Sequence, residues 1–414
     1  MPSDGLGGRL PDPVVVKFYL YMATLSNAFI TPITVVYMQS KGVGLAGVGA
    51  VQALFWVGLT LAEVPTGYVS DRFGHRTSLF FATTTIGAAI LGFWFADGVV
   101  GFGVVYLVWS VGITFRSGSL GAWLYDTLEA RLSTDEFARV RGRGGSVVLG
   151  VSAAGSLAGA PLYEIDPLYP FVCTAALAGL GLVVLWTFPT ADDHPASDET
   201  DGTGAETLEF VQAIRTARRH LTGRELRWFV AYTGALYVAH QVVSAFIQPA
   251  ALASGLSVAQ LGPLYAAITG LSAVASWLSG TVERRLGVRG WFTLAPLLVG
   301  VPLLVTAVSP LAALPAIAGV RFVDKLSGTL RKQYINDRVS SVGRATVLSA
   351  VSMVFGVVTV PARVLGGVVG DGFSVFVTFA GVGVVVLLVA GGIHATREPF
   401  VERTQSRAGG EPSD

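Results

Sequence analysis

The sequence predicts an all-α membrane protein, with twelve transmembrane helices in two pseudo-symmetric six-helix bundles. Three observations carry that prediction. Of the 414 residues, 52% are hydrophobic and 13% charged, and mean hydropathy is +0.61. Soluble domains carry about 25% charge. Polar groups this sparse cannot cover so much apolar surface in water, so lipid must serve as part of the solvent. The apolar residues also gather in runs of the ~20 residues that a helix needs to cross a bilayer core. Finally, the basic residues fall almost entirely on alternate connections between those runs.

The runs cover residues 14–37, 45–66, 78–96, 99–124, 144–163, 167–188, 227–252, 258–282, 291–309, 311–331, 344–369 and 373–394. The first follows a polar stretch with the single Arg9 and is too long for a signal-peptide core, so it reads as a membrane span. The tenth is the most polar, with Arg321, Asp324 and Lys325 inside it. β-Branched residues are frequent, but the runs are too long and too unbroken for barrel strands.

Of the 28 Lys and Arg residues, 23 lie on one side when the runs are threaded in order. They include Arg72 and Arg76 after run 2 and Arg131, Arg139, Arg141 and Arg143 after run 4. Others follow runs 6, 8 and 10 or sit at the two termini. Lys41 is alone on the opposite side, and Arg116, Arg321, Lys325 and Arg363 fall within runs. Cytoplasmic loops carry such an excess. Both termini and the central linker are therefore expected in the cytoplasm, and the protein in the plasma membrane.

The long hydrophilic stretch after run 6 divides the chain. The organisation expected is a first six-helix bundle over 1–188, a cytoplasmic linker over 189–226, a second bundle over 227–396, and a polar cytoplasmic tail over 397–414. The linker begins acidic and rich in turn formers. Its second part has a basic face at helical spacing, which fits a surface helix on an anionic leaflet. An internal repeat supports two duplicated halves. Residues 67–76 read GYVSDRFGHR and 280–289 read GTVERRLGVR, with Gly, Arg, Gly and Arg at common offsets. SGSL at 117–120 matches SGTL at 327–330.

The loop after run 2 resembles the signature of the major facilitator superfamily. Gly67, Asp71, Arg72, Gly74 and Arg76 match its pattern, and His75 stands where a second basic residue is common. The lead-in Glu63-Val64-Pro65-Thr66 resembles a prokaryotic subgroup, as do Trp123-Leu124-Tyr125-Asp126 and the Arg344–Ser349 segment. The resemblance spans about residues 14–394. It implies a secondary transporter in which Asp71 faces the N-terminal end of helix 11, whose partial positive charge stabilises a carboxylate. Ser340 and Ser341 are possible caps there. Such a latch would favour the state closed at the cytoplasmic end. The alternative is a turn whose charges only set topology.

Ionisable groups at membrane depth are costly and therefore functional candidates. The resemblance gives Arg116 the place of an arginine that influences a nearby proton site, with a purely structural ion pair as the alternative. Glu63, Asp324 and His240 are the other coupling candidates, Glu63 and His240 having bland readings as a salt-bridge partner and a hydrogen-bonded packing residue. Arg321 and Asp324, at i and i+3, are placed to pair. The resemblance makes helices 1, 4, 7 and 10 the cavity lining, with Tyr19, Asn27, Arg116, Gln241, Gln248, Arg321, Lys325 and Arg363 as cavity candidates. Gly150, Gly155, Gly159 and Pro161 partly resemble an antiporter signature, but small residues also serve packing.

These residues point to alternating-access transport of a small molecule, with proton-coupled efflux in front and uptake of a small anion as the alternative. The partners expected are the substrate, a coupling proton and the bilayer, with no nucleic acid, in a monomer. One cysteine, Cys173, and five scattered histidines leave no metal-binding pattern. No cofactor motif, Walker A sequence, HExxH or GxSxG is present. A membrane-embedded enzyme or a sensor is the remote reading.

Overall fold

A computed structural model describes residues 12–189, 226–339 and 344–397. The linker, with the surface helix expected there, Ser340 and Ser341, and most of the polar tail lie outside the described residues. Among the described residues the regular structure is entirely helical. In lipid a chain must satisfy its backbone groups internally, and a helix does so within one segment.

The first half holds α1 (Pro13–Thr24), α2 (Thr34–Ser40), α3 (Leu45–Phe73), α4 (His75–Gly92), α5 (Gly98–Arg131), α6 (Phe137–Ile165) and α7 (Tyr169–Trp186). The second holds α8 (Arg227–Ala245), α9 (Ile247–Ala253), α10 (Val258–Val305), α11 (Ala313–Asn336), α12 (Arg344–Gly372) and α13 (Val375–Thr396). Each of the twelve apolar runs is helical over most of its length. Seven of the described helices are long and apolar enough to cross a membrane alone, and an eighth crossing forms if α8 and α9, bent by 60°, count as one. The rest deviate for visible reasons. Run 1 breaks between α1 and α2, run 3 (α4) is an 18-residue helix that opens on His75 and Arg76, and run 10 (α11) carries its charges. Runs 8 and 9 share α10, whose 48 residues would span about 72 Å if straight, over twice the ~30 Å hydrocarbon core.

That helix folds back at Gly287, where φ is 65° and non-helical. Its counterpart in the first half is Gly74, with φ 82°, joining α3 to α4. Positive φ at both positions favours glycine, so the sequence repeat is also a conformational repeat. The first loop is tied down by its neighbours. His75 shares a hydrogen bond with Ser70 at 3.1 Å and lies 3.6 Å from the Asp126 carboxylate. Arg76 donates to the carbonyls of Leu185 and Trp186 at the end of α7.

The two halves meet at the end opposite the basic loops. The Asp371 carboxylate of α12 accepts from the backbone N–H of Leu45 and Ala46 at 2.7 and 2.8 Å, capping α3. The Glu164 carboxylate of α6 accepts from Ala259 N–H at 3.1 Å, capping α10. Each cap crosses between halves and satisfies N–H groups that a helix start leaves without partners. At Gly367 a Cβ would overlap the Leu45 carbonyl of the other half. Gly155 and Gly159 pack closely on the Ala28–Phe29 backbone.

Towards the basic end the same helices diverge. Nothing lies within 4 Å of a Cβ built at Gly67 on α3 or Gly356 on α12. Val64 and Val357 there are 76% and 65% exposed. Among the described residues every hydrogen bond between the halves lies from mid-bundle to the capped end.

Candidate functional site

The site candidates gather around α8, and helix geometry sorts them. Residues four apart share a face, and neighbours in sequence are turned by about 100°. His240 and Ser244 face α11, while Tyr237 and Gln241 face α12.

On the first face, Asp324 Oδ2 lies 3.5 Å from His240 Nε2, with side-chain exposures of 25% and 12%. Arg321 Nη1 donates to Ser244 Oγ at 3.1 Å and lies 3.4 Å from His240 Nε2. Ser244 also meets the imidazole at 3.4 Å. The expected Arg321–Asp324 pair does not form, because each side chain turns to α8 instead. Arg321 Nε is buried without a hydrogen-bond partner. His240 thus meets three polar groups, of Asp324, Arg321 and Ser244. An imidazole, a carboxylate and a guanidinium share one spot, with Asp324 more exposed than His240.

On the second face, Gln241 donates from Nε2 to Tyr237 Oη at 3.0 Å, and Arg363 Nε donates to the Gln241 carbonyl at 3.2 Å. Arg363 Nη1 also donates to the Gln52 carbonyl of the first half at 3.3 Å. Arg363 is 6% exposed and has no carboxylate partner among the described residues. It holds the halves together through backbone carbonyls and does not line an open cavity. Arg331, which the sequence reading passed over, sits above the stacked rings of Tyr237 and Phe355, at 5.5 and 4.9 Å from their centroids.

Gln248 also belongs to the closure, and it is 3% exposed. Its Oε1 accepts from Val35 and Val36 N–H at 2.8 and 3.0 Å, and its Nε2 donates to the Thr31 carbonyl at 2.8 Å. The break between α1 and α2 frees those backbone groups, and one amide from the bend between α8 and α9 satisfies them. Irregular backbone at membrane depth is tolerated where protein supplies such partners.

The remaining candidates stay apart from this cluster. Glu63, Asp71 and Lys325 are exposed, and the carboxylates of Glu63 and Asp71 make no hydrogen bond or ion pair among the described residues. Arg72 donates to Tyr68 Oη. Arg116 is half-buried on α5 and likewise has no hydrogen bond or carboxylate partner among the described residues. Tyr19 and Asn27 are half-buried on the first half. No group of three or more His, Cys, Asp and Glu placed to hold a metal occurs among the described residues.

The model of the Major Facilitator Superfamily matches residues 18–323. The chain belongs to this superfamily. As a major facilitator protein it is a multi-pass membrane transporter, not an enzyme. It is 21% identical to the uncharacterized MFS-type transporter YxaM of Bacillus subtilis, over 90% of this chain and 93% of that one. A shorter match, 24% identical, covers 49% of the chain and 51% of YcaD, an uncharacterized MFS-type transporter of Escherichia coli. Among solved structures, a variant of the nucleoside transporter NupG superposes with TM-score 0.75 at 13% identity, covering 92% of this chain and 98% of that one. A D-xylose–proton symporter does so with TM-score 0.62 at 12% identity, over 91% and 95%. At such identities the structural likeness speaks for the fold alone.

Proposed function

We propose that this major facilitator protein is a proton-coupled secondary transporter that exports a small molecule in exchange for protons by alternating access. It crosses the plasma membrane twelve times, with both termini and the linker cytoplasmic, and works as a monomer. The state described above is the one open to the cytoplasm, since the basic end is open and the capped end closed. The observation that carries the coupling reading is the approach of Asp324 to His240 beside Arg321. A proton taken up by the Asp324 carboxylate removes its negative charge from the contact with His240, and the charge balance beside Arg321 and Ser244 changes with it. Groups of this kind at membrane depth mark ion pathways. Asp324 is the proton carrier in this reading, with Glu63 and Arg116 as secondary members near the cytoplasmic opening and on α5. Tyr19, Asn27, Arg321 and Lys325 are the cavity residues.

A second reading, uptake of a small anion, draws support from Arg116 and the bare Nε of Arg321. Cationic groups outnumber carboxylates around the space between the halves.

The test is flux into proteoliposomes under an imposed pH gradient, with substrates taken from a ligand-stabilisation screen. Asp324→Asn is expected to abolish pH-driven accumulation and leave substrate-for-substrate exchange measurable. Wild-type accumulation by Asp324→Asn with His240→Gln and Glu63→Gln added would remove proton coupling from these helices.

A further inference from the structure

Between α8, α12 and α13 runs a groove of about 710 Å³ with an almost wholly apolar lining. Of its lining groups, the Thr378 hydroxyl is already spent on the Gly366 carbonyl at 2.8 Å. The other polar lining residue is Arg227, at one end. Nothing inside the groove could orient a polar solute. Its rim residues Leu365 and Val385 are 63% and 55% exposed, so it opens outward from the bundle and not into the space between the halves.

The groove follows α8 from Arg227 to Val242, about 22 Å at 1.5 Å per residue. That exceeds one leaflet's share of a ~30 Å core. At the Arg227 end two guanidinium groups flank one indole. Arg227 lies 4.9 Å and Arg397 5.7 Å from the Trp228 ring centroid. Both arginines are exposed and neither pairs with a carboxylate among the described residues. Tryptophan prefers the depth of lipid headgroups, which sets the two cations at phosphate level on the basic side of the protein.

We propose that this groove binds one anionic phospholipid, with an acyl chain along α8 and the headgroup phosphate between Arg227 and Arg397. Apolar area would hold the chain, as each buried methylene adds to the transfer free energy. The paired guanidinium groups would select the headgroup, because Arg presents a fork of donors that matches phosphate oxygens. A zwitterionic lipid would fit the groove equally well but bring no net negative charge to the arginines.

The full chain, reconstituted with equal amounts of phosphatidylglycerol and phosphatidylcholine of matched chains, is extracted gently, and retained lipid is counted by native mass spectrometry. Wild type is expected to retain phosphatidylglycerol preferentially, with the preference falling as salt rises. Arg227→Gln with Arg397→Gln is expected to lower that preference roughly tenfold, as two juxtamembrane cations are removed. Gly381→Leu fills the groove, since nothing lies within 4 Å of a Cβ there, and is expected to lower retention of both lipids with the arginines intact. Arg139→Gln with Arg143→Gln should leave lipid retention and preference unchanged. The proposal is overturned by an unchanged preference in the Arg227/Arg397 variant or in wild type at high salt. Undiminished retention by Gly381→Leu overturns it too, as does a dimer that occupies the groove and that Gly381→Leu splits.

Discussion

The two ends of the bundle use different chemistry to bring the halves together. At the capped end the contacts are between side chains and backbone. Asp371, Glu164 and Gln248 each reach from one half to main-chain N–H or C=O groups of the other, and Gly367 brings two backbones into contact. At the basic end the groups available to close are Asp71, Arg72, Tyr68 and Val64 on α3, all exposed. A main-chain partner at a helix end is fixed in place, so the capped end gains its bonds with little further ordering. The basic end must order long side chains to close. The alternating access proposed above would require both closures to be nearly equal in free energy, and two unlike sets of contacts would have to be matched for that.

The largest effect is expected from Gly367→Val. Overpacking there should cost about 1–3 kcal/mol in the state described and move the population towards opening of the capped end by roughly tenfold or more. Spin-label distances between Lys41→Cys and a cysteine on the second half, in a Cys173→Ala background, would show it. An unchanged distribution would mean that the close approach is not part of the closure.

Next come the two caps. Asp371→Asn and Glu164→Gln each remove a carboxylate from a helix start, worth about 1 kcal/mol. Each alone should shift the same distances several-fold in population, and together the shifts should multiply, because the sites are far apart. If only one variant has an effect, the closure rests on one cap and the pseudo-symmetric account fails.

A smaller shift of opposite meaning is expected from Asp71→Asn. Asp71 has no partner among the described residues in the state open at the basic end, so the variant should leave that state as stable as before. It should weaken only the closure of the basic end, lowering flux severalfold with folding intact. Wild-type flux and distances would leave Asp71 a topological charge only.

The smallest perturbation tests which end faces the cytoplasm. Lys41→Cys should react with an impermeant reagent only from outside and Arg131→Cys only from inside, with no change in flux. Labelling of both from one side would reverse or break the assignment.

Much of this molecule was legible in its sequence. The apolar runs became helices because lipid leaves the backbone no other local solution. The repeated Gly-containing loops gave two folds at Gly74 and Gly287, since both turns need positive φ. Asp324 and His240 were visible as costly intramembrane groups. Their pairing was not, because it depends on the rotation of α8 against α11, which periodicity does not encode. The same blindness misplaced Arg321, whose i,i+3 carboxylate was the obvious partner until the other helix offered better ones. Gln248 looked like a cavity residue because polarity in an apolar run signals either a substrate or a broken backbone, and the break between α1 and α2 was not visible. Asp371 and Glu164, which cap helices of the opposite half, do not figure among the residues singled out from the sequence. A signal did exist, for each closes the fifth helix of its half at nearly the offset of the other repeats.

Gly74 and Gly287 hold the same conformation although the residues before them have drifted apart, with Asp71 and Arg72 in one half facing Arg284 and Arg285 in the other. In a duplicated chain the geometric requirement has thus outlived the chemical one. Each loop must still fold its helices back, while the carboxylate moves from Asp71 in the first to Glu283, one position earlier, in the second. Mutational tolerance should follow the same division: in the second loop the glycine is fixed by folding, while its charged neighbours are free to specialise.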